Sequence, residues 1–186
     1  RVSSGTELVE VTTAAERRAG TVEHDRVDRC VHTSQAQQLR QRAMHRRYLA
    51  IAHGDVRDAT YRTLIVSDRG DGLRGSWEAR PRKSKSPQGQ WARTHIEVVE
   101  ELDGATLVAC RLETGRTHQI RIHLSEAGHP LLGERVYIRG FRGNEIPAPR
   151  LMLHAAELGF THPAHEGDVR FERPVPPDFD ETLNRL

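Results

Sequence analysis

No stretch of this 186-residue chain is apolar for the about 20 consecutive residues that a membrane-spanning helix needs. A secretory leader pattern is absent too, so a cytoplasmic location is the expectation. Cysteine is scarce: Cys30 and Cys110 cannot make a disulfide framework, and two reduced thiols are expected, one of them in a strand. Histidine is plentiful at eleven, yet no Cys or His pair has ligand spacing, and His118 and His123 stand five apart on one expected helix. No metal site is therefore expected. There is no internal repeat, and the length suits one well-cored domain over residues 1–186.

Net charge is only +2, but its distribution is uneven. Residues 38–47 carry Arg40, Arg42, Arg46 and Arg47 without an acid. Residues 74–93 carry Arg74, Arg80, Arg82, Lys83, Lys85 and Arg93 against Glu78 alone. Clustered cations suit a phosphate backbone, because each contact releases condensed counterions. A solvated surface would give the same composition.

The hydropathy pattern predicts short strands, hairpins and a few helices. Strands are expected at residues 5–11, 48–53, 94–102, 105–112, 151–160 and 169–171. Thr12 and Thr13 can cap a helix, residues 34–44 should be helical, and residues 19–35 read as an irregular insert. Residues 75–92 have loop composition. Asp103-Gly104, between two β-prone runs, signals a hairpin. After the Thr114-Gly115 turn, Ile120, Leu124 and Ala127 form the apolar stripe of a helix that Gly128 should end. The class is α+β, with a mainly antiparallel mixed sheet flanked by helices.

Within this frame, Arg121 lies one position off the apolar stripe and is expected to be half-buried. Its planar fork needs a carboxylate or phosphate, so it is either a structural ion pair or an anion grip. Arg116 and His118 stand at the helix mouth, where backbone N–H groups favour anions; ordinary surface polarity is the alternative. Tyr48 follows three cations at the start of a strand. It can pack in the core or stack on a splayed-out base.

The segments RRYLAIAHG (46–54), EARPRKSK (78–85), THIEVVEEL (94–102), RLETGRTHQIRIHL (111–124), GHPLLGERVY (128–137), RLMLHAAELGFTHP (150–163) and PPDF (176–179) stand in the order found in the RluA-type pseudouridine synthases, which the chain resembles over about residues 36–186. The resemblance implies isomerisation of uridines in structured ribosomal or transfer RNA, without metal or cofactor and on a flipped-out nucleotide. It implies that Arg121 is the arginine paired with the essential aspartate and Tyr48 the tyrosine against the base. It makes Arg80, Arg82, Lys83 and Lys85 the RNA-gripping loop, with Arg116 and His118 as further RNA contacts. RNA is thus the expected partner, and a monomer the expected state.

The aspartate is where the chain departs from the pattern. The family carries it in a segment like H-R-L-D-x-x-T-S-G, and here Ser3-Ser4-Gly5 stands in the place of T-S-G. On this reading the aspartate lies just upstream of Arg1 and the chain is N-terminally truncated, which would leave Arg121 without its partner. Asp28, in Arg26-Val-Asp28-Arg29, is the alternative seat, although it leaves little chain before Tyr48. A catalytically silent RNA-binding relative is the competing function.

Overall fold

The computed structural model describes residues 44–79, 88–162 and 167–186. The expected early strand and helices, the 19–35 insert, Cys30, Asp28 and the four cations Arg80, Arg82, Lys83 and Lys85 lie outside the described residues.

Seven strands form one sheet: β1 (His45–His53), β2 (Ala59–Val66), β3 (Gly75–Ser76), β4 (Gly89–Leu102), β5 (Ala105–Leu112), β6 (Leu153–Thr161) and β7 (Asp168–Glu172). Two helices accompany it, α1 (Gln119–Glu126) and α2 (Pro177–Asn184). The strand order is β3-β2-β4-β5-β1-β6-β7. Among the described residues every pairing is antiparallel, in keeping with the mainly antiparallel sheet that the sequence suggested.

The sheet sends alternate side chains to opposite faces, and a helix covers each. Ala50 and Ala52 of β1 with Val108 and Cys110 of β5 pack on Ile120 and Leu124 of α1. On the other face, Ile51, Ala105 and Leu107 join Leu132, Met152 and Phe179 of α2. Residues 105–110 are consequently buried without interruption, as befits the central strand. Burial raises the Cys110 thiol to about 12, making it an inert core group.

Two local outcomes differ from the pattern. Strand β2 was not anticipated, and β4 begins at Gly89 rather than Thr94 because β2 pairs along it, with Leu64 opposite Trp91 and Val66 opposite Gly89. The Asp103-Gly104 turn stands as expected, with Gly104 at φ +70°. Helix α1 ends as predicted: Gly128 takes φ +92°, and the Gly128 and His129 N–H groups donate to Ser125 and Leu124 carbonyls.

The long connection from α1 to β6 has little regular structure but is tightly held. Leu132 N–H donates to the Ile51 carbonyl at 2.9 Å, and Ile51 N–H to the Met152 carbonyl at 3.1 Å. Buried His53 joins in: its ring binds the Pro130 carbonyl through Nδ1 at 2.8 Å and receives the Ile146 N–H at Nε2 at 3.0 Å.

Candidate active site

The chain leaves β5 at Leu112 and turns through Thr114-Gly115-Arg116 into α1. Buried Gln119 holds that turn. Its Oε1 accepts from Arg116 N–H at 3.0 Å and Thr114 hydroxyl at 2.8 Å, while Nε2 donates to the Arg93 carbonyl at 3.0 Å and Thr94 Oγ1 at 2.9 Å. All four amide hydrogen-bonding positions are used, so the turn is fixed to β4. His118, at φ +60°, is the one non-glycine residue with positive φ among the described residues. It stands immediately before α1, and its Nδ1 is 2.9 Å from the Tyr137 hydroxyl. Burial lowers its pKa, with neighbouring Arg121 acting in the same sense.

Arg121 projects from α1 onto Glu134. Nε donates to Oε2 and Nη2 to Oε1, each at 2.7 Å. The Tyr137 ring lies 5.0 Å from its Cζ, a cation–π contact that fixes the plane of the fork. The Glu134 side chain is fully enclosed, and its Oε1 also accepts the N–H groups of Arg135, Val136 and Tyr137 at 2.9, 2.8 and 3.2 Å. Burial alone would raise its pKa, but Arg121 and the backbone donors outweigh this and bring it to about 2.

The expectation that Arg121 is left as an uncompensated charge is therefore corrected: Glu134 pairs with it. The structural ion pair is present. Enclosed and with both oxygens engaged, Glu134 orients the arginine and cannot itself reach a substrate. Nη1 of Arg121 is left without a partner among the described residues. The sequence signal for Glu134 was present in GHPLLGERVY: a carboxylate opening a turn whose next three N–H groups converge on it.

Tyr48 lies on β1, opposite Cys110 of β5, half-buried against the cluster that contains Ile120 and Leu124 of α1. Tyr48 thus packs on the core and retains an accessible portion. Tyr48 packs on the face of the sheet that α1 covers, and α1 carries Arg121; no hydrogen bond or ring contact among the described residues joins the two. Arg116 donates through Nε to the Trp91 carbonyl at 3.2 Å.

His123, which the sequence offered only as a rejected metal ligand, is buried between two strands. Its ring nitrogens lie 2.9 Å from Thr94 Oγ1 and 2.9 Å from Thr63 Oγ1. Burial lowers its pKa to about 4, so it is neutral at physiological pH. His118 and His123 therefore point to separate partners.

The described residues thus form an antiparallel sheet with a fixed arginine on one covering helix and a half-buried tyrosine on a strand beside the central one. The sequence pattern of RNA pseudouridylate synthases matches residues 29–126, more than half of the chain, and the protein belongs to that family. That span holds both Tyr48 and Arg121. The chain is 38% identical over 157 residues to the uncharacterized RNA pseudouridine synthase YlyB of Bacillus subtilis, covering 83% of this chain and 48% of that protein. It is 39% identical over 157 residues to the ribosomal large subunit pseudouridine synthase D of Nitrosomonas europaea, covering 81% and 43% respectively. The chain thus spans about half the length of the curated relatives it matches. Among solved structures, human RNA pseudouridylate synthase domain containing 1 superposes with a TM-score of 0.63 at 26% identity, over 80% of this chain and 62% of that one.

Proposed function

We propose that the protein is an RNA pseudouridine synthase that isomerises particular uridines in structured RNA, with ribosomal RNA the first candidate and transfer RNA the second. The observation that carries this is the family match over residues 29–126, a span that includes Tyr48 and Arg121; the packing of Tyr48 on the sheet face covered by the helix that bears Arg121 supports it. In this reading Tyr48 packs against the flipped-out base, since an aromatic at the edge of an apolar cluster can receive a base removed from its stack. Arg121 is held rigidly by Glu134 and presents Nη1 to the nucleophilic aspartate, which neutralises the remaining exposed part of the fork. That aspartate comes from a segment outside the described residues. Arg116, His118 and the cations of residues 80–85 hold phosphates, which position the RNA without reading its sequence. The reaction needs neither metal nor cofactor, because the carboxylate, the fixed cation and the flipped base supply its parts. The host's cytoplasm, where structured RNA is processed, is the proposed location.

The test is genetic. Removal of the gene from its host, followed by pseudouridine mapping of ribosomal and transfer RNA, should erase one or a few sites. A copy of the gene restores them, and an Arg121→Ala copy does not. An unchanged pseudouridine map in the deleted strain would overturn the proposal.

A further inference from the structure

Arg46 is the one charged side chain of β1 that is buried, 9% exposed, and its Nε is enclosed with no hydrogen-bond partner among the described residues. An orphaned, enclosed guanidinium nitrogen is costly, and native chains rarely keep one without a ligand to satisfy it. The surroundings do not neutralise it. Burial lowers its pKa, Tyr48 opposes that shift, and Arg116 adds like-charge repulsion; no carboxylate among the described residues pairs with it. Glu113, two residues before Gly115, is held by Arg93 at 3.1 Å and His95 at 2.7 Å.

The fold nevertheless makes room for this arginine. Its Nη1 lies where a side chain at position 115 would begin, so the close approach requires Gly115. The turn above it is pinned by Gln119, and Arg116 is tethered by its Nε to the Trp91 carbonyl. Arg46 thus reaches the turn that carries Arg116, near enough for the two like charges to act on one another, and no acid among the described residues pairs with either. Strand alternation puts Arg46 on the same face as Tyr48, two residues on.

We infer that Arg46 and Arg116, converging at Gly115, form a seat for one phosphodiester of the RNA strand next to the base that Tyr48 receives. A phosphate supplies the acceptors that Arg46 lacks and relieves the repulsion between the two cations; planar guanidinium forks match its oxygens. This rests on the RNA reading above and adds to it a specific anchoring residue.

The test uses the full polypeptide as its host makes it and a fluorescein-labelled RNA stem-loop with a uridine-rich loop. Affinity is measured from 50 to 300 mM KCl for the unaltered protein and for Arg46→Gln, Arg46→Lys and Arg116→Gln. Arg46→Gln should weaken binding roughly tenfold near physiological salt and reduce the slope of log K against log salt by about 0.7 to 0.9, the share of one phosphate. Arg46→Lys should keep the slope but bind more weakly than Arg46, because a point charge replaces the fork. Arg116→Gln, a change in a turn held independently by Gln119, should reduce the slope similarly. The melting temperature of Arg46→Gln without RNA should equal or exceed that of the unaltered protein, because an unneutralised buried cation is removed. A lowered melting temperature with an unchanged slope would mean that a carboxylate of the same polypeptide holds Arg46, and would overturn the inference. If the unaltered protein fails to bind the RNA, the underlying functional reading falls; if it binds and the Arg46→Gln slope is unchanged, only the phosphate seat falls.

Discussion

Arg121 and Glu134 hold one another through two 2.7 Å bonds, with the carboxylate wholly enclosed and the guanidinium 17% exposed. Breaking such a pair leaves a buried charge unmatched, so Arg121→Ala should cost about 3–5 kcal/mol in urea unfolding. The loss should change little between 0.1 and 1 M salt, since enclosed charges are poorly screened. A loss that vanished at high salt would contradict the enclosure. Titration at the residue scale has a definite sign. His123 falls from 6.5 unfolded to about 4 folded, so the unfolded chain takes up the proton first. Its contribution is complete above about pH 6.5 and declines as pH falls toward 4, by on the order of 3 kcal/mol in all. Glu134, lowered from 4.5 to about 2, adds a second decline across that lower window. Chemical denaturation at stepped pH should show both, and His123→Gln should flatten the upper one. An unaltered upper slope in that variant would refute the assignment to His123.

At the scale of elements, the irregular connection between α1 and β6 carries a constraint that a loop composition conceals. Gly133 has φ +73°, and a Cβ there would collide with the Arg150 carbonyl. Gly133→Ala should therefore cost more than the roughly 1–2 kcal/mol of a left-handed L-residue. Gly128→Ala, at φ +92° with nothing within 4 Å, should cost only that backbone share. Parallel thermal melts of the two variants decide it, and equal losses would contradict the collision. The elements legible in the sequence were those whose signals are local. The Asp103-Gly104 hairpin, the α1 stripe of Ile120 and Leu124, and the Gly128 stop each lie within a few residues of what they specify. Strand β2 and the first five residues of β4 escaped because their polar and apolar residues acquire strand structure from each other across the sheet. The site followed the same division. Tyr48, Arg116, His118 and Arg121 stood out as candidates by residue type, position and the family resemblance. Gln119 escaped because its four hydrogen-bonding partners lie on elements that only folding brings near.

For the whole molecule, the near-neutral total charge of +2 hides the property that matters for a polyanionic partner. The cations are segregated, and several acids are already paired internally, as Glu157 is with Arg47, Arg170 and His45. RNA binding by the full polypeptide should therefore weaken steeply with salt, despite the small net charge. Filter binding at 50 and 200 mM KCl measures this, and a flat salt response would argue against a phosphate-gripping surface. The proposed isomerisation would place a stricter demand on the same surface. Arg121→Lys keeps the charge but loses the fork, so turnover should fall at least about tenfold while RNA affinity changes little. Comparable losses in both would instead point to disrupted folding.

The close approach of Arg46 to Gly115 also joins two distant positions in the chain's history. A methyl group acquired at 115 meets the end of the Arg46 side chain, so either that end moves out of its enclosed place or residue 46 shortens. The two positions should thus change together among relatives, although they lie on different elements and far apart in sequence. In a double-mutant cycle, Gly115→Ala should be markedly less harmful in an Arg46→Ala background than alone.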